Sequence, residues 1–251
     1  MTLAPRVIPC LDIKNGRVVK GVRFTDLRDS GDPVLTSRTY EEDGADEITL
    51  LDVSATPEGR GHALETVAAV RAVLGIPLTV GGGVRSVDDA RALLEAGADR
   101  VAVNTAAVED PSLIGRLADL FGTQCVVVSI DARASKGGWE VVTRSGTNGT
   151  GLDVVAWARE CEQQGAGEIL LTSWDRDGSQ IGYDTNLLTA VSKAVAIPIV
   201  ASGGAGSFRD LAEGLRAGAD AVLVASILHE GQTTVADLKR ELAAAGIGVR
   251  P

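Results

Sequence analysis

The sequence contains only two histidines and three cysteines, which limits the sites and cross-links it could form. The cysteines are odd in number and widely spaced, without a CxxC pair, so they predict neither a disulfide framework nor a zinc site. We interpret Cys10, Cys125 and Cys161 as packing residues. His62 and His229 have no partner at a telling spacing, and we assign neither of them a role. No metal site is expected.

Long apolar runs and an excess of positive charge are missing as well. No window approaches the ~18 uninterrupted apolar residues of a membrane-spanning helix, and the N-terminal region has no apolar run long enough for a signal peptide. We therefore expect a cytoplasmic protein that does not contact membranes. The formal net charge of −10 gives no broad basic surface for nucleic acid, so any phosphate would have to be held by local groups.

Residues 1–251 fit a single globular domain, because 45% of them are apolar and no linker-like stretch divides the chain. Within the domain, residues 76–108 have a near copy at 197–228 that matches at about 13 of the first 31 positions. Each copy predicts a strand, a glycine turn, a helix and a second strand. We therefore expect two similar half-barrels, approximately 1–121 and 122–251.

Eight apolar segments alternate with helical patterns along the chain, and they lack the polar alternation of half-exposed strands. Such runs are typical of parallel strands that are buried on both faces. The segments are 7–11, 47–53, 77–80, 100–103, 125–130, 168–173, 198–201 and 221–224. Eight strand–helix units in a chain of this length predict one α/β domain, a (β/α)8 or TIM barrel.

Two connections are longer than the others, at residues 13–34 and 131–151, and a hairpin is predicted at 138–144 within the second. In a TIM barrel the loops that follow the strands form the mouth where active sites are built, so both connections are candidate lids. Ser86 and Ser207 are predicted to cap the helices that follow the two glycine turns.

Two aspartates, Asp12 and Asp131, close the first and fifth predicted strands, which stand opposite each other in an eight-stranded barrel. At matching positions of the mouth they favour a pair of working groups, although two loop-anchoring hydrogen bonds would give the same pattern. Because the barrel interior separates them, they should not share one proton as a close dyad does. We expect one to act as base and the other as acid, on either side of a bound substrate.

Glycine turns follow the third and seventh predicted strands, at 81–83 and 203–204. Glycine lets backbone N–H groups approach an anion, and the helix that begins there adds a favourable dipole. Glycine also serves ordinary tight turns, but each turn here is matched by a small residue and a hydroxyl after the next strand, at 104–105 and 225–226. Two such pockets at one mouth predict a long substrate with a phosphate at each end.

Further polar residues lie at or just beyond the predicted strand ends. They are Asp52, Thr172, Asp175, Asp177 and Ser202. Each alone is more readily explained as a loop-shaping hydrogen bonder, but together they make the mouth polar enough for a sugar-like ligand. Lys20, in the first long connection, fits a solvated charge and a phosphate clamp equally well. Trp174 lies close enough to the predicted mouth to touch a ligand.

Four charged residues stand at strand entrances, and therefore at the opposite end of the predicted barrel. They are Arg6, Glu47, Arg100 and Glu168. From spacing alone, salt bridges that stabilise the bottom of the barrel are the simpler explanation for two positive and two negative charges in this position.

Several segments, taken in order along essentially the whole chain, resemble the cyclase subunits of imidazole glycerol phosphate synthase, of histidine biosynthesis. These segments are IPCLDIKNGRVVKGVRF, GGGVRS, VNTAA, SIDAR, GAGEILLTSWDRDG and ASGGAG. The resemblance implies a heterodimer with a separate glutaminase subunit that supplies ammonia. It also implies a ribulosyl aminoimidazole carboxamide substrate with two phosphates, which is converted to imidazole glycerol phosphate and aminoimidazole carboxamide ribotide. No metal or redox cofactor is implied.

The resemblance also implies roles for individual residues. Asp12 and Asp131 would be the general acid/base pair, and Lys20 would belong to a mobile loop that closes over substrate. One phosphate would be bound by Gly83, Asn104 and Thr105. The other would be surrounded by Asp177, Gly178, Gly204, Ala225 and Ser226. Thr172, Ser202 and Gly203, taken from the strand-end and glycine patterns, complete the predicted substrate-binding set.

At the bottom of the barrel, the resemblance implies that the four charged residues form a gate for ammonia. It also implies that Asp99 lies at the glutaminase interface. Arg100 stands where some relatives are expected to have lysine, and the two cations differ in shape. Two alternatives stay open. One is the related sugar isomerase that acts one step earlier. The other is a barrel without catalytic activity that binds phosphates and acts as a scaffold for a glutaminase.

Overall fold

A computed structural model describes residues 4–22, 25–55 and 64–250 of the chain. His62 lies outside the described residues. Eight parallel strands form the barrel: β1 (Arg6–Lys14), β4 (Ile48–Asp52), β5 (Leu78–Gly81), β6 (Arg100–Val103), β7 (Val126–Ser135), β10 (Glu168–Ser173), β11 (Ile199–Ser202) and β12 (Ala221–Val224). All eight predicted segments are confirmed as strands, three of them with unchanged bounds.

The barrel closes because its first and last strands pair. β1 lies between β4 and β12, with Cys10 opposite Thr49 on one side and Pro9 opposite Val224 on the other. The remaining neighbours follow in chain order up to β7, which pairs with β10. The predicted TIM barrel is confirmed. β1 and β7 are four strands apart in either direction, so they stand opposite each other across the interior.

Helices cover the outside of the barrel between successive strands. They are α1 (Pro33–Glu42), α2 (Leu64–Arg71), α3 (Val87–Glu95), α4 (Thr105–Glu109), α5 (Ser112–Phe121), α6 (Val154–Gln163), α7 (Thr185–Ser192), α8 (Phe208–Arg216), α9 (Ser226–His229) and α10 (Val235–Ala244), with a 3-10 turn at Thr123–Cys125. Among the described residues, no helix has the length and apolar character needed to cross a membrane.

Both long connections carry antiparallel hairpins. The second, β8 (Gly138–Thr143) with β9 (Asn148–Asp153), pairs with the end of β7 and confirms the predicted hairpin. The first, β2 (Arg17–Val22) with β3 (Thr25–Gly31), extends β1 where only a long connection was expected. The two-residue turn that joins β1 to β2 contains Asn15 and Gly16 with φ values of 52° and 73°, the left-handed pair that a tight turn between antiparallel strands requires.

Apolar side chains fill two layers, one inside the barrel and one between the strands and the helices. Alternate residues of each strand point to opposite faces, so a strand that supplies both layers must be apolar throughout. The interior layer consists of Ile8, Cys10, Ala102, Val127, Leu170, Val200, Ala221 and Leu223. Cys161 lies in the outer layer and Cys125 is half-buried, so the cysteines are free packing residues.

The two predicted serine caps differ. Ser86 caps α3 by accepting a hydrogen bond from the Asp89 N–H, as expected. Ser207 precedes α8 in the extended conformation of a cap but does not accept a backbone N–H; its hydroxyl instead donates to Asp210 Oδ2 at 2.9 Å. The predicted cap position of Ser207 is therefore confirmed, but its side chain makes no cap hydrogen bond, because a carboxylate three residues along competes for the hydroxyl.

Candidate active site

A cavity of about 530 Å³ opens at the carboxyl ends of the barrel strands. Asp12, near the end of β1, and Asp131, on β7, both line it and are only 5% and 9% exposed. The predicted substrate-binding residues line the same cavity: Lys20, Gly83, Asn104, Thr105, Thr172, Asp177, Gly178, Ser202, Gly203, Gly204, Ala225 and Ser226. The fold therefore brings the whole predicted set to one place.

Asp12 is paired with the first hairpin. Lys20, on β2, places its ammonium 3.2 Å from Asp12 Oδ2, and both side chains are almost fully buried. Burial acts against the charged form of Lys20, but the negative charges of Asp12 and Asp177 outweigh it and raise the lysine pKa. The hairpin thus holds a permanent cation against one of the two candidate catalytic groups.

Asp131 has a different environment on the opposite strand. Burial, reinforced by the charge of Asp177, raises the pKa of Asp131 to about 7, while a hydrogen bond from Asn104 Nδ2 at 2.9 Å acts in the other direction. Asn104 follows β6, the strand beside β7, so the barrel register brings its amide to the carboxylate. Asn104 Oδ1 has no hydrogen-bond partner among the described residues. Asn104, which was predicted to bind a phosphate, therefore also contacts Asp131, a candidate catalytic group.

Asp177 is the third carboxyl group of the cavity. Burial raises its pKa to about 6, the negative charge of Asp12 adds to this effect, and Lys20 and the Gly178 N–H oppose it. Two buried carboxyl groups with pKa values near neutrality are well suited to proton exchange at physiological pH.

The two glycine turns have the same backbone conformation. Gly82, Gly83, Gly203 and Gly204 all have φ between 74° and 108°, a region that side-chain-bearing residues rarely adopt. A Cβ at Gly82 would collide with the backbone of Asp52, so the turn packs directly onto the neighbouring strand. Each turn is followed by a nine-residue helix, α3 or α8. The turns can therefore present backbone N–H groups to an anion.

The second half of each predicted phosphate pocket also repeats. Asn104 and Ala225, which precede α4 and α9, have φ, ψ values of −132°, −88° and −133°, −74°. Neither side chain caps its helix in the described structure. The two pockets are thus built on the same backbone plan in the two halves of the barrel.

Comparison with known proteins agrees with this geometry. A family model described as "Histidine biosynthesis protein" matches residues 6–234. The chain belongs to this family. It is also 57% identical over 249 residues to imidazole glycerol phosphate synthase subunit HisF of Hyphomonas neptunium, an alignment that covers 99% of each chain. The predicted resemblance is confirmed, and the family match includes every residue that lines the cavity.

At the other end of this histidine biosynthesis barrel, the four charged residues form a closed ring. Arg6 contacts Glu47 at 2.8 Å and also pairs with Glu168, while Arg100 Nη1 lies 2.6 Å from Glu47 and 3.3 Å from Glu168. Both glutamates are buried. Thr79 donates a hydrogen bond to the remaining oxygen of Glu47 at 2.5 Å. The ring seals the bottom with each acid bound to two cations.

Asp99 lies beside this ring and is bound within the chain. Its Oδ2 accepts hydrogen bonds from the Leu78 N–H at 2.8 Å and from Arg71 Nη1 at 3.1 Å. About half of the Asp99 side chain is exposed. The resemblance implies a partner interface at Asp99, and the structure shows a surface carboxylate held in a fixed orientation at this position.

Several residues that line the cavity were not predicted, among them Arg85, Arg144 and Ser145. Arg144 and Ser145 form the tip of the second hairpin with φ values of 53° and 56°. The Arg144 N–H donates to Thr105 Oγ1 at 3.1 Å, which holds the tip over the first phosphate pocket. The sequence signal was the adjoining Gly146, over which the indole of Trp174 packs, away from the cavity lining.

The described residues contain no cluster of three or more His, Cys, Asp or Glu side chains arranged to hold a metal ion. The polar groups of the cavity are instead distributed around its wall, with Asp12 and Lys20 on one side and Asp131 and Asn104 on the other. Such an arrangement can orient an elongated ligand and exchange protons with it from two directions.

Proposed function

We propose that this chain is the cyclase subunit of an imidazole glycerol phosphate synthase. It takes ammonia and the ribulosyl aminoimidazole carboxamide bisphosphate and forms imidazole glycerol phosphate and aminoimidazole carboxamide ribotide. The observation that supports this most directly is the placement of Asp12 and Asp131 on opposite strands of one cavity, between two matching glycine turns. The name of the similar Hyphomonas protein supports the same reaction.

The cavity suits a substrate with a phosphate at each end. Its volume of about 530 Å³ lies in the range of small-molecule sites, and its two anion turns are in opposite halves of the barrel. Backbone N–H groups and helix N-termini bind phosphate without a large net positive charge, which fits a chain with a formal charge of −10. Binding both phosphates would hold the sugar chain across the middle of the cavity.

The surroundings of the two aspartates suggest different roles. Asp12 forms a direct ion pair with Lys20 at 3.2 Å, so we assign it the role of base. Asp131, whose pKa is raised to about 7, is the better acid. Imine formation from the ribulosyl carbonyl and ammonia releases water, so two protons must leave nitrogen and two must reach the departing oxygen. Carbon–nitrogen cleavage and ring closure then need protons returned on the same two sides.

Lys20 would change partner when substrate binds. A phosphate near the first hairpin offers the ammonium a stronger partner than Asp12, and the exchange would free the carboxylate for proton abstraction. The buried position of Lys20 on a hairpin means that the hairpin would close over the mouth as part of the same event. Closure would exclude water from the imine.

Ammonia would enter from the opposite end of the barrel. The ring at the bottom leads to the apolar interior layer, which favours neutral ammonia over ammonium. A glutaminase subunit that covers the bottom, with Asp99 in its interface, would deliver ammonia there without release to solvent. This partner is inferred from the resemblance and from the word "subunit" in the name of the Hyphomonas relative.

The test is turnover by the purified chain, supplied with the bisphosphate and an ammonium salt. We expect consumption of substrate and release of both products, with none in Asp131→Asn. Interconversion of ribosyl and ribulosyl forms without ammonia would identify the sugar isomerase instead. A chain that stimulates a glutaminase but turns over nothing with free ammonia would be a scaffold, and either result would refute the proposal.

A further inference from the structure

His229, at the end of α9, contacts two other elements, α1 and β1. Its Nδ1 lies 2.7 Å from the hydroxyl of Tyr40 on α1, and its Nε2 lies 3.0 Å from the backbone carbonyl oxygen of Cys10 on β1. A carbonyl can only accept, so Nε2 must carry the proton and Nδ1 must accept from Tyr40. The neighbouring groups therefore fix a single tautomer of the neutral ring.

The end of β12 explains why the Cys10 carbonyl meets a side chain. β12 ends at Val224, whose partner on β1 is Pro9, because the chain turns at Ala225 to build the phosphate pocket. Cys10 is thus the first residue of β1 beyond the ladder with β12. A carbonyl left without a partner inside the barrel wall would be costly, and His229 supplies the missing N–H.

The same histidine is the last residue of α9, a single turn of helix. The first residues of that turn, Ala225 and Ser226, line the cavity at the second phosphate pocket. At the other end, the Cys10 carbonyl lies two residues before Asp12, and the Cys10 thiol is 4.0 Å from Asp12 Oδ1. A rigid turn and one hydrogen bond therefore connect an anion pocket to the strand that carries Asp12.

We propose that His229 is a positioning residue that couples the second phosphate pocket to Asp12, by fixing the end of β1 against α9. The inference rests on the proposed function, since it assigns Asp12 to the chemistry. Phosphate binding at Ala225 and Ser226 pulls on α9, and the His229 bond to Cys10 transmits the change to the Asp12 carboxylate. Tyr40 holds the ring in the orientation that makes this bond.

Burial keeps His229 and Tyr40 in a single protonation state near pH 7. Burial lowers the pKa of His229 and raises that of Tyr40, so the imidazole stays neutral and the phenol keeps its proton near pH 7. Asp12, Lys20 and Glu230 are the charged groups that act on the histidine. Because the ring neither gains nor loses a proton during turnover, it acts on Asp12 through position and not through proton transfer.

Two substitutions separate the positioning bond from simple packing. In His229→Gln the side-chain amide N–H can take the place of Nε2–H and keep the bond to Cys10. In His229→Asn the shorter amide reaches only the position of Nδ1, so the bond to Cys10 is lost. We expect kcat with ammonium salt to fall about tenfold in His229→Asn and less than about threefold in His229→Gln, with KM changed less than about threefold in both.

A second readout does not depend on turnover. Inorganic phosphate is titrated into protein with 13C-labelled aspartate, and the carboxyl resonance of Asp12 is followed. We expect a phosphate-induced shift in the parent and in His229→Gln, and a shift at least halved in His229→Asn. Tyr40→Phe, which removes one hydroxyl, should lower kcat about twofold to threefold and serves as the deciding variant if His229→Asn does not fold.

The outcomes distinguish the two proposals. A parent that turns nothing over refutes the proposed function, and the phosphate titration then decides the coupling alone. Equal kcat and equal phosphate response in His229→Asn and His229→Gln would overturn the positioning role, as would a parent in which phosphate leaves the Asp12 resonance unmoved. If His229→Asn does not fold, an unchanged kcat in Tyr40→Phe overturns it too. Loss of thermal stability with unchanged kinetics would show that His229 only packs.

Discussion

The two ends of the barrel differ in how their buried charges are paired. At the bottom, Arg6 and Arg100 each contact both Glu47 and Glu168, so every charge of this ring has two partners of the opposite sign. At the mouth, Asp12, Asp131 and Asp177 are among six carboxyl groups that line the cavity, and the described lining contains one lysine, the buried Lys20. Balanced charge stabilises the ionised forms, whereas unbalanced charge raises carboxyl pKa values toward neutrality.

This difference indicates that the mouth has unfavourable electrostatics that the bottom lacks, and that these belong to the candidate active site. Burial raises the pKa of Asp131 to about 7 and that of Asp177 to about 6, and a neighbouring negative charge adds to each shift, so both groups can exchange protons near neutral pH. Unfavourable electrostatics of this kind cluster at functional sites. The following predictions test whether mouth and bottom differ in this way.

The largest effect is expected at Asp131. Asp131→Asn keeps the shape and the Asn104 neighbour but removes the exchangeable proton, so turnover should fall by about 10³-fold or more, or about 4 kcal/mol in transition-state stabilisation. Steady-state kinetics with ammonium salt measure this. Asp119→Asn, at an exposed position of α5, is the matched control and should leave activity unchanged. Near-normal activity in Asp131→Asn would remove Asp131 from the mechanism.

The same substitution should change how stability depends on pH. With its pKa raised from 3.8 to about 7, Asp131 binds its proton more tightly in the folded chain, so its contribution to stability is complete below pH 4 and is lost as the pH rises to about 7. Asp131→Asn should therefore gain about 3 kcal/mol relative to the parent between pH 4 and pH 8. Urea denaturation at both values measures it, and a constant difference would contradict the raised pKa.

Lys20→Met keeps the length of the side chain and removes the single buried cation that pairs with Asp12. We expect kcat/KM to fall about 30- to 100-fold, because both the ionised base and the closing hairpin lose their charge partner. Lys193→Met, at an exposed position after α7, controls for loss of a lysine. A fall in kcat/KM of less than threefold would mean that Lys20 does not contribute to catalysis.

At the bottom of the barrel, the smallest effect is expected, and on stability. Glu47→Gln leaves Arg6 and Arg100 with one acid, and removing one partner from a buried ion-pair group should lower the free energy of unfolding by about 2 kcal/mol. Glu140→Gln breaks the more exposed pair with Arg133 and should cost below about 1 kcal/mol. Equal losses of unfolding free energy in the two variants, measured by chemical denaturation, would show that the ring at the bottom is no more stabilising than an exposed ion pair.

Much of the fold could be predicted because apolar runs and glycine turns are local signals. Eight uninterrupted apolar segments indicated buried parallel strands, and the repeat indicated matching mouth positions for Asp12 and Asp131. The antiparallel pairing of β1 with β2 was missed although the Asn15–Gly16 turn between them was readable. The half-barrel boundaries and the roles of the site residues stay predictions.

Other contacts could not be predicted because they depend on the register between strands. Asn104 was expected at a phosphate, but its amide reaches Asp131 since β6 and β7 are neighbours. Arg144 reaches Thr105 only because a hairpin folds back over the mouth. The ring at the bottom, in contrast, was visible in advance as four strand entrances, but its pairing of each acid with both arginines was not.

The buried thiol of Cys10 can be used to measure how often the barrel opens. Burial and the charge of Asp12 raise its pKa well above the ordinary value, so almost no thiolate is available to an alkylating reagent while the chain is folded. Cys125 is half-buried and will be modified early, whereas Cys10 becomes reactive only when the first strand leaves its neighbours. The lag between the two labelling events therefore times how often the closed sheet comes apart.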